Sequence, residues 1–190
     1  MNMNPNPNDT PWLFNMIQYE DELLNTFSNQ NSTEPTEIYG LTLGFNAKLF
    51  GLKINGDFNI TRGINHGENS SPIAHIPPNF GKIEILKELK DFSIKFRYLH
   101  SGKKAANNFD TAGIDNLDET PVVGTNENGE ELYGGLPSWS TMDFSIKYNF
   151  SEKIGFQINI ENILDIHYKT FGSGLSAPGR NFIFSTNILL

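Results

Sequence analysis

The 190-residue sequence contains no cysteine. A disulfide framework and a thiolate metal site are therefore excluded, although the absence of cysteine does not identify the compartment. Basic residues are also scarce, since 14 Lys and Arg stand against 22 Asp and Glu and leave a net charge of -8. This surplus of acidic side chains argues against nucleic acid or an anionic lipid surface as a partner.

Long hydrophobic runs are missing as well. Hydrophobic residues make up 37% of the chain, but no run approaches the roughly 18 apolar residues that a membrane helix needs. The opening stretch, MNMNPNPNDTPWLFNMIQYEDELL, shows no basic region followed by an apolar one, and it therefore predicts no signal peptide. We expect either a chain that stays inside the cell or a segment whose natural start lies upstream.

What the sequence does contain is a regular alternation of apolar and polar residues from Glu37 onward. Aromatic residues, among them 15 Phe, supply much of the apolar half. A period of two is typical of β-strands with two different faces. It predicts about seven strands, at residues 37–50, 52–63, 79–89, 91–100, 140–150, 153–163 and 180–190. The third of these is the least regular.

The lengths of the strands and of their connections indicate a class of fold. The predicted strands span 10–14 residues, whereas globular strands usually have about 5–6 and tilted strands of membrane barrels about 9–11. Short connections around Gly51, Lys90 and residues 151–153 alternate with long ones at 64–78, 101–137 and 163–179. In an antiparallel sheet this sorts all short turns to one end. The pattern favours an all-β, antiparallel transmembrane β-barrel segment with short periplasmic turns and long extracellular loops.

Aromatic residues near the strand ends are consistent with the two interfacial girdles of such a barrel. The periplasmic girdle would contain Phe50, Phe92 and Phe150, and the outer one Tyr39, Tyr98 and Trp139. A half-exposed sheet of a soluble protein also alternates, so a soluble or secreted binding module, such as a lectin-like β-sandwich, stays open as an alternative. A further alternative is a small closed eight-stranded barrel, in which residues 12–19 supply an extra strand.

The end of the chain resembles a known family. An Asn-Ile-Leu-Asp stretch with a following Tyr, a loop, and then Pro-Gly-Arg before an alternating closing strand resembles the C-terminal barrel end of TonB-dependent outer-membrane receptors. The residues that carry this motif are Asn162, Ile163, Leu164, Asp165, Tyr168, Pro178, Gly179 and Arg180. The stretches IYGLTLGFNAKLFGLKINGDFNITRG and PPNFGKIEI are similar to earlier parts of the same barrel, so the resemblance covers roughly residues 36–190.

The resemblance implies a transport component of the outer membrane of a Gram-negative bacterium. A complete receptor would take up an iron chelate, a vitamin or an oligosaccharide, coupled to the TonB complex through its N-terminal part. The implied partners are outer-membrane lipid and lipopolysaccharide, the rest of the barrel and the plug, and a small-molecule or oligosaccharide ligand that the sequence does not identify; nucleic acid is not among them.

The sequence departs from the family in two ways. The chain ends on Leu190 rather than on an aromatic residue, and seven strands are only about a third of a family barrel of about 22 strands with a plugged lumen. We therefore expect a C-terminal fragment or a truncated reading frame that is incomplete as a closed barrel. Residues 1–36 would form a loop or poorly ordered leading segment, and residues 37–190 the barrel strands.

No residues predict catalysis, a cofactor or a metal site. The chain has no G-x-S-x-G elbow, and its glycine pairs lack the strand–loop–helix context of a nucleotide site, so we expect that it is not an enzyme. The four histidines lack metal-ligand spacing and are expected to be exposed loop residues: His66, His75, His100 and His167. The acidic stretch 107–133 lacks EF-hand spacing and is expected to be a solvated extracellular loop.

Two further expectations concern charged residues. Charged side chains on the polar strand faces should pair across strands in a wet interior, where they could also contact the plug or a ligand: Lys53, Asp57, Lys95, Arg97, Asp143, Lys147 and Glu161. Arg180 shares parity with the outward-facing Phe182. It should therefore lie at the extracellular start of the last strand, at headgroup level, where a guanidinium favours lipopolysaccharide phosphate.

Overall fold

The computed structural model describes residues 16–19, 22–25, 35–67, 70–111 and 113–190. The chain divides into two compact units, Met1–Thr33 and Glu34–Leu190. In the first unit, strand β1 (Met16–Tyr19) pairs antiparallel with β2 (Glu22–Asn25) in a two-stranded sheet. Residues 12–15 of the extra strand proposed from the sequence lie outside the described residues, and residues 16–19 pair with β2.

The second unit is built almost entirely of strands. In chain order they are β3 (Thr36–Leu49), β4 (Leu52–Asn65), β5 (Ser71–Pro72), β6 (Phe80–Glu88), β7 (Phe92–Ser101), β8 (Lys104–Ala105), β9 (Val122–Thr125), β10 (Glu131–Tyr133), β11 (Gly135–Leu136), β12 (Trp139–Asn149), β13 (Ile154–Glu161) and β14 (Asn181–Ile188). Two 3₁₀ turns, Ala106–Asn108 and Leu117–Glu119, lie between β8 and β9. No helix of the described residues has the length and the apolar composition to span a bilayer.

The seven long strands form one antiparallel sheet in the order β14-β13-β12-β7-β6-β4-β3, with the short β5 paired to β4. This confirms the all-β class and the seven strands predicted from the alternation. Strands that follow each other in the chain are neighbours in the sheet, apart from the small strands inserted in the long connections. The sheet is not closed, because β3 and β14 are its two edges.

The register gives the sheet two chemically different faces. Phe144 of β12 lies opposite Phe96 of β7 and Ile160 of β13, while the next residue, Ser145, lies opposite Lys95 and Asn159. The same division holds over residues 41–49 of β3 and 52–60 of β4, where apolar residues pair on one face and mostly polar ones on the other. We call these the apolar face and the polar face.

The apolar face is uncovered. Leu43 is 56% exposed, Phe45 50% and Phe184 74%. The buried hydrophobic side chains of the described residues are Phe109 and Leu136, and both come from the connection between β7 and β12. The long strands therefore contribute no large apolar side chain to an interior, in contrast to a strand of a soluble domain.

Glycines on this face make room for aromatic rings. Gly56 lies opposite Phe45, and a Cβ on Gly56 would overlap the Phe45 ring. Gly81 lies opposite Phe58, whose ring would be 2.8 Å from a Cβ on Gly81. Each ring therefore lies against a glycine of the neighbouring strand, where a larger residue would displace it.

The short and the long connections lie at opposite ends of the sheet, as predicted. Phe50 and Gly51, with φ values of 51° and 72°, turn β3 into β4, and short turns also join β6 to β7 and β12 to β13. Phe50, Phe92 and Phe150 lie at this short-turn end, where Phe92 stacks on Tyr148 at 4.6 Å between ring centroids. The long connections meet the opposite end of the sheet, and they contain the small strands β5 and β8 to β11, which the alternation did not predict.

Candidate functional site at the long-loop end

Asn162 is the centre of a hydrogen-bonded cluster just after β13. Its side chain is buried; Nδ2 donates to the carbonyl oxygens of Ile166 at 2.9 Å and Pro178 at 3.2 Å, and Oδ1 accepts from the Ile166 N–H at 3.0 Å. Its φ of 49° lies in the left-handed region, which Asn adopts more readily than most residues. One side chain thus ties the start of the β13–β14 connection to its end.

Asp165 fixes the other side of the same connection. Its Oδ1 accepts the backbone N–H of Arg180 at 2.8 Å, while Arg180 Nε donates to the Ile163 carbonyl at 2.8 Å. A Cβ on Gly179 would stand 2.7 Å from Asp165 Oδ1, so a glycine is required for this close approach. We call Asn162, Asp165, Pro178, Gly179 and Arg180 the Asn162 cluster.

The Asn162 cluster is joined to the polar face through Asp143. Asp143 Oδ1 accepts the Asn162 N–H at 2.8 Å, and its Oδ2 accepts from Arg97 Nε at 2.8 Å and Nη2 at 2.6 Å. The Asp143 side chain is only 13% exposed. Both carboxylate oxygens therefore accept hydrogen bonds, one from the charged Arg97 guanidinium and the other from the Asn162 N–H at the start of the loop.

Tyr168, a further residue of the family motif, packs beside this cluster. Its ring lies 4.2 Å from that of Trp139 between centroids, and its carbonyl accepts the Ala177 N–H at 2.8 Å. Burial raises the pKa of the Tyr168 hydroxyl above 10.0, and the negative charges of Asp143 and Glu161 raise it further. Each would disfavour a phenolate at this position.

The structure thus brings Asn162, Asp165, Tyr168, Pro178, Gly179 and Arg180 together, although their functional roles stay a prediction. Arg180 is exposed and lies just before β14, which begins at Asn181. One N–H group of its guanidinium, Nε, donates to the Ile163 carbonyl. The interaction with lipopolysaccharide phosphate proposed from parity also stays a prediction.

A second cluster, which the sequence did not reveal, lies where the three long connections meet. Lys104 Nζ is 2.7 Å from Asp115 Oδ2 and donates to the Ile76 carbonyl at 2.8 Å, and the two charged side chains are 4% and 1% exposed. The rings of Phe109 and Phe171 cover Lys104 Nζ at 4.6 and 4.0 Å. We call Lys104, Asp115, Phe109 and Phe171 the Lys104 core.

The Lys104 core corrects one expectation. The acidic residues of 107–133 were expected to be solvated, which is wrong for Asp115, because its carboxylate is buried against Lys104 and also accepts the His75 N–H at 2.8 Å. Nothing in the spacing of Lys104 and Asp115 sets them apart from other charged loop residues. Their partners come from connections far apart in the chain, and a single sequence does not show such contacts.

The cross-strand pairing expected on the polar face holds in part. Asp57 pairs with Lys82 at 3.4 Å, Lys53 pairs with Glu88, and Arg97 pairs with Asp143. Within the described part of the chain, Lys95, Lys147 and Glu161 form no ion pair.

The histidines do not converge. His66 contacts Glu37 at 3.1 Å and His75 contacts Asp115 at 3.4 Å, while His100 shares a hydrogen bond of 2.9 Å with Ser140 Oγ. The residues that the structure describes contain no group of three or more His, Cys, Asp or Glu able to hold a metal ion.

Comparison with solved structures identifies the fold. The copper transporter OprC aligns with 80% of this chain at a TM-score of 0.62 and 15% identity. The ferripyoverdine receptor of the Pseudomonas aeruginosa outer membrane aligns with 80% at 0.59 and 13%, and the ferric-catecholate import receptor Fiu of E. coli K12 with 91% at 0.55 and 13%.

The aligned parts are 23%, 19% and 23% of those three structures, so the chain spans about a fifth to a quarter of their length. No family model matches the sequence, and no curated protein matches it. The fold is the one that the resemblance to TonB-dependent receptors implied, a segment of an outer-membrane receptor barrel.

Proposed function

We propose that the chain is a C-terminal segment of the barrel of a TonB-dependent receptor in the outer membrane of a Gram-negative bacterium. Its role is that of a transport component and not of an enzyme. The complete receptor would take up an iron chelate, a vitamin or an oligosaccharide. A metal or metal chelate is the class we favour, because the structural neighbours are named for copper, ferripyoverdine and ferric catecholate.

The observation that carries this proposal is the contrast between the two faces of the sheet. Leu41, Leu43 and Phe182 are each more than half exposed on the apolar face, whereas the opposite face carries ion pairs such as Arg97 with Asp143. Burying a large apolar side chain contributes about 1.5–3 kcal/mol of free energy, which a side chain left exposed to water does not provide. Lipid against the apolar face and a water-filled lumen against the polar face provide each face with a suitable environment.

The same contrast argues against the soluble alternative. A soluble β-sandwich needs a second sheet about 10 Å above the apolar face, and the exposed side chains there show no such cover among the described residues.

The partners follow from the surfaces. We propose outer-membrane lipid on the apolar face, the plug on the polar face, and the remaining barrel strands at the edges formed by β3 and β14. Contact with the TonB complex would be made through an N-terminal part of the complete receptor. Lipopolysaccharide would meet the long-loop end, where Arg180 is exposed.

The test uses the absence of native cysteine, which allows single labels. Phe144→Cys and Ser145→Cys are neighbours on opposite faces of β12. Each is labelled with an environment-sensitive fluorophore, and the chain is folded in zwitterionic micelles doped with nitroxide-labelled lipid. We expect blue-shifted, quenched emission at position 144 and neither effect at position 145. A monomer that folds in buffer alone, or equal quenching at both positions, would contradict the proposal and favour the soluble sandwich.

A further inference from the structure

An open cavity of about 360 Å³ lies beside β3 and β4 at the long-loop end of the sheet. This volume falls in the range of pockets that hold small ligands, about 300–1,000 Å³. Its walls come from β3, β4, the β4–β6 connection and the start of the β7–β12 connection. We infer that this cavity binds a phosphate or carboxylate group carried on an apolar or ring-shaped body.

The charged part of the lining is entirely basic. Arg62, Lys103 and Lys104 line the cavity, and no Asp or Glu among the described residues does, although the chain as a whole carries a net charge of -8. Lys104 is neutralised by the buried Asp115. The surplus positive charge therefore belongs to Arg62 and Lys103, neither of which forms an ion pair within the described residues.

Within the described part of the chain, the acceptors that orient Arg62 are neutral. Its Nη1 donates to the Thr61 carbonyl at 2.8 Å and its Nη2 to Asn79 Oδ1 at 3.1 Å. A guanidinium has five N–H donors in a rigid fork that matches phosphate and carboxylate oxygens. The contacts with Thr61 and Asn79 orient the fork, and its charge and remaining donors stay available for an anion.

The rest of the lining suits an uncharged body. Ile73 and Ile76 pack over Gly63, where a Cβ would stand 3.0 and 2.9 Å from their side chains. They form one wall with three prolines and Tyr39, while Ser and Asn side chains supply further polar groups. Apolar walls with a few convergent polar groups are typical of small-molecule sites.

This site goes beyond the proposed function and does not depend on transport. The group bound could come from the headgroup of a membrane lipid or from a free organic anion in solution, because the two share the same chemistry. The cavity belongs to the unit Glu34–Leu190 alone, so binding can be measured on the chain in micelles.

The experiment is isothermal titration calorimetry of the full chain in non-ionic micelles. The soluble probe is phenyl phosphate, with phenol as its uncharged control, and the membrane probe is lipid A in mixed micelles, with dephosphorylated lipid A as its control. The test variant is Arg62→Gln with Lys103→Gln. The matched variant is Lys90→Gln with Lys153→Gln, which removes the same charge from exposed residues at the short-turn end.

We expect at least one phosphate probe to bind more tightly than its control, and the Arg62/Lys103 variant to lose tenfold or more of that affinity while the Lys90/Lys153 variant keeps it. Tight binding of phenyl phosphate would identify a free anion as the source, and binding of lipid A alone a membrane phosphate. The inference is overturned if neither probe exceeds its control, if the Arg62/Lys103 variant binds as well as wild type, or if both double variants lose affinity equally. Should the double variant fail to fold by circular dichroism, Lys103→Glu replaces it, because that exposed side chain forms no ion pair in the described chain.

Discussion

Replacing Asn162 by alanine tests whether one side chain holds the β13–β14 connection closed. The change removes three side-chain hydrogen bonds, two to carbonyl oxygens and one from a backbone N–H. Each is worth about 1 kcal/mol net. Alanine also tolerates the left-handed φ of 49° less well, at a cost of about 1 kcal/mol. We expect the free energy of unfolding to fall by about 4 kcal/mol.

A local reporter is available for this measurement. Trp139 stacks against Tyr168 of the same connection at 4.2 Å between ring centroids, and the chain has only one other tryptophan, Trp12. In a Trp12→Phe background, urea unfolding in detergent micelles can be followed by the emission of Trp139. Release of the connection exposes this indole to water and shifts its emission to longer wavelength.

Two further variants separate the hydrogen-bond contribution of Asn162 from its backbone contribution and from the effect of a surface substitution. Asn162→Gly keeps the left-handed backbone at little cost, so it should lose only the hydrogen-bond contribution of about 3 kcal/mol. Asn55→Ala is the control, because Asn55 is exposed on the polar face and a surface change of this kind stays within about 0.5 kcal/mol. A loss below about 1 kcal/mol in Asn162→Ala, or a loss no larger than that of Asn55→Ala, would refute the reasoning.

Three further outcomes are expected. Lys104→Met should destabilise the chain by about 3–5 kcal/mol, since it leaves a buried carboxylate unpaired, and adding Asp115→Asn should recover part of that loss in urea unfolding. Gly179→Ala should cost about 1–2 kcal/mol, because its methyl group would displace Asp165 from the Arg180 N–H; an unchanged midpoint would contradict this. Tyr168 should ionise above pH 10.0 in an absorbance titration at about 295 nm, with Tyr168→Phe as the reference. Because its folded pKa is raised, its contribution to stability is complete below the unfolded pKa of about 10 and disappears as pH rises through the folded value.

The sheet could be predicted from the sequence because the alternation of apolar and polar residues is visible within each strand. In β12, apolar Phe144 and polar Ser145 already assign opposite faces, and the register with β7 follows from matching those faces. The strand at Phe80–Glu88 was the least regular in sequence since Leu86 stands on the polar face and Lys87 on the apolar one. Both irregular residues lie near the short-turn end.

The site could be predicted only where it is short-range or tied to a motif. The Asn162 cluster joins residues within one connection of the sheet, and a family motif marked its members. The Lys104 core joins three connections, and its contacts, such as Lys104 with the Ile76 carbonyl, span 28 residues. Pairing of that kind depends on loop packing, which has no periodicity to read. The small strands β8 and β11, which pair Lys104 with Leu136, were missed for the same reason.

The distribution of buried side chains shows that the long strands and the long connections are stabilised in different ways. The seven long strands bury no large apolar side chain of their own, so in the proposed barrel their stability depends on lipid and neighbouring strands. The long connections have a small interior that contains Phe109, Leu136 and the Lys104–Asp115 pair. Lipid should therefore change the stability of the strands far more than that of the loops. Substitutions in the Lys104 core should release the connections and leave the quenching pattern at positions 144 and 145 unchanged, whereas loss of both together would show that loops and strands fold as one cooperative unit.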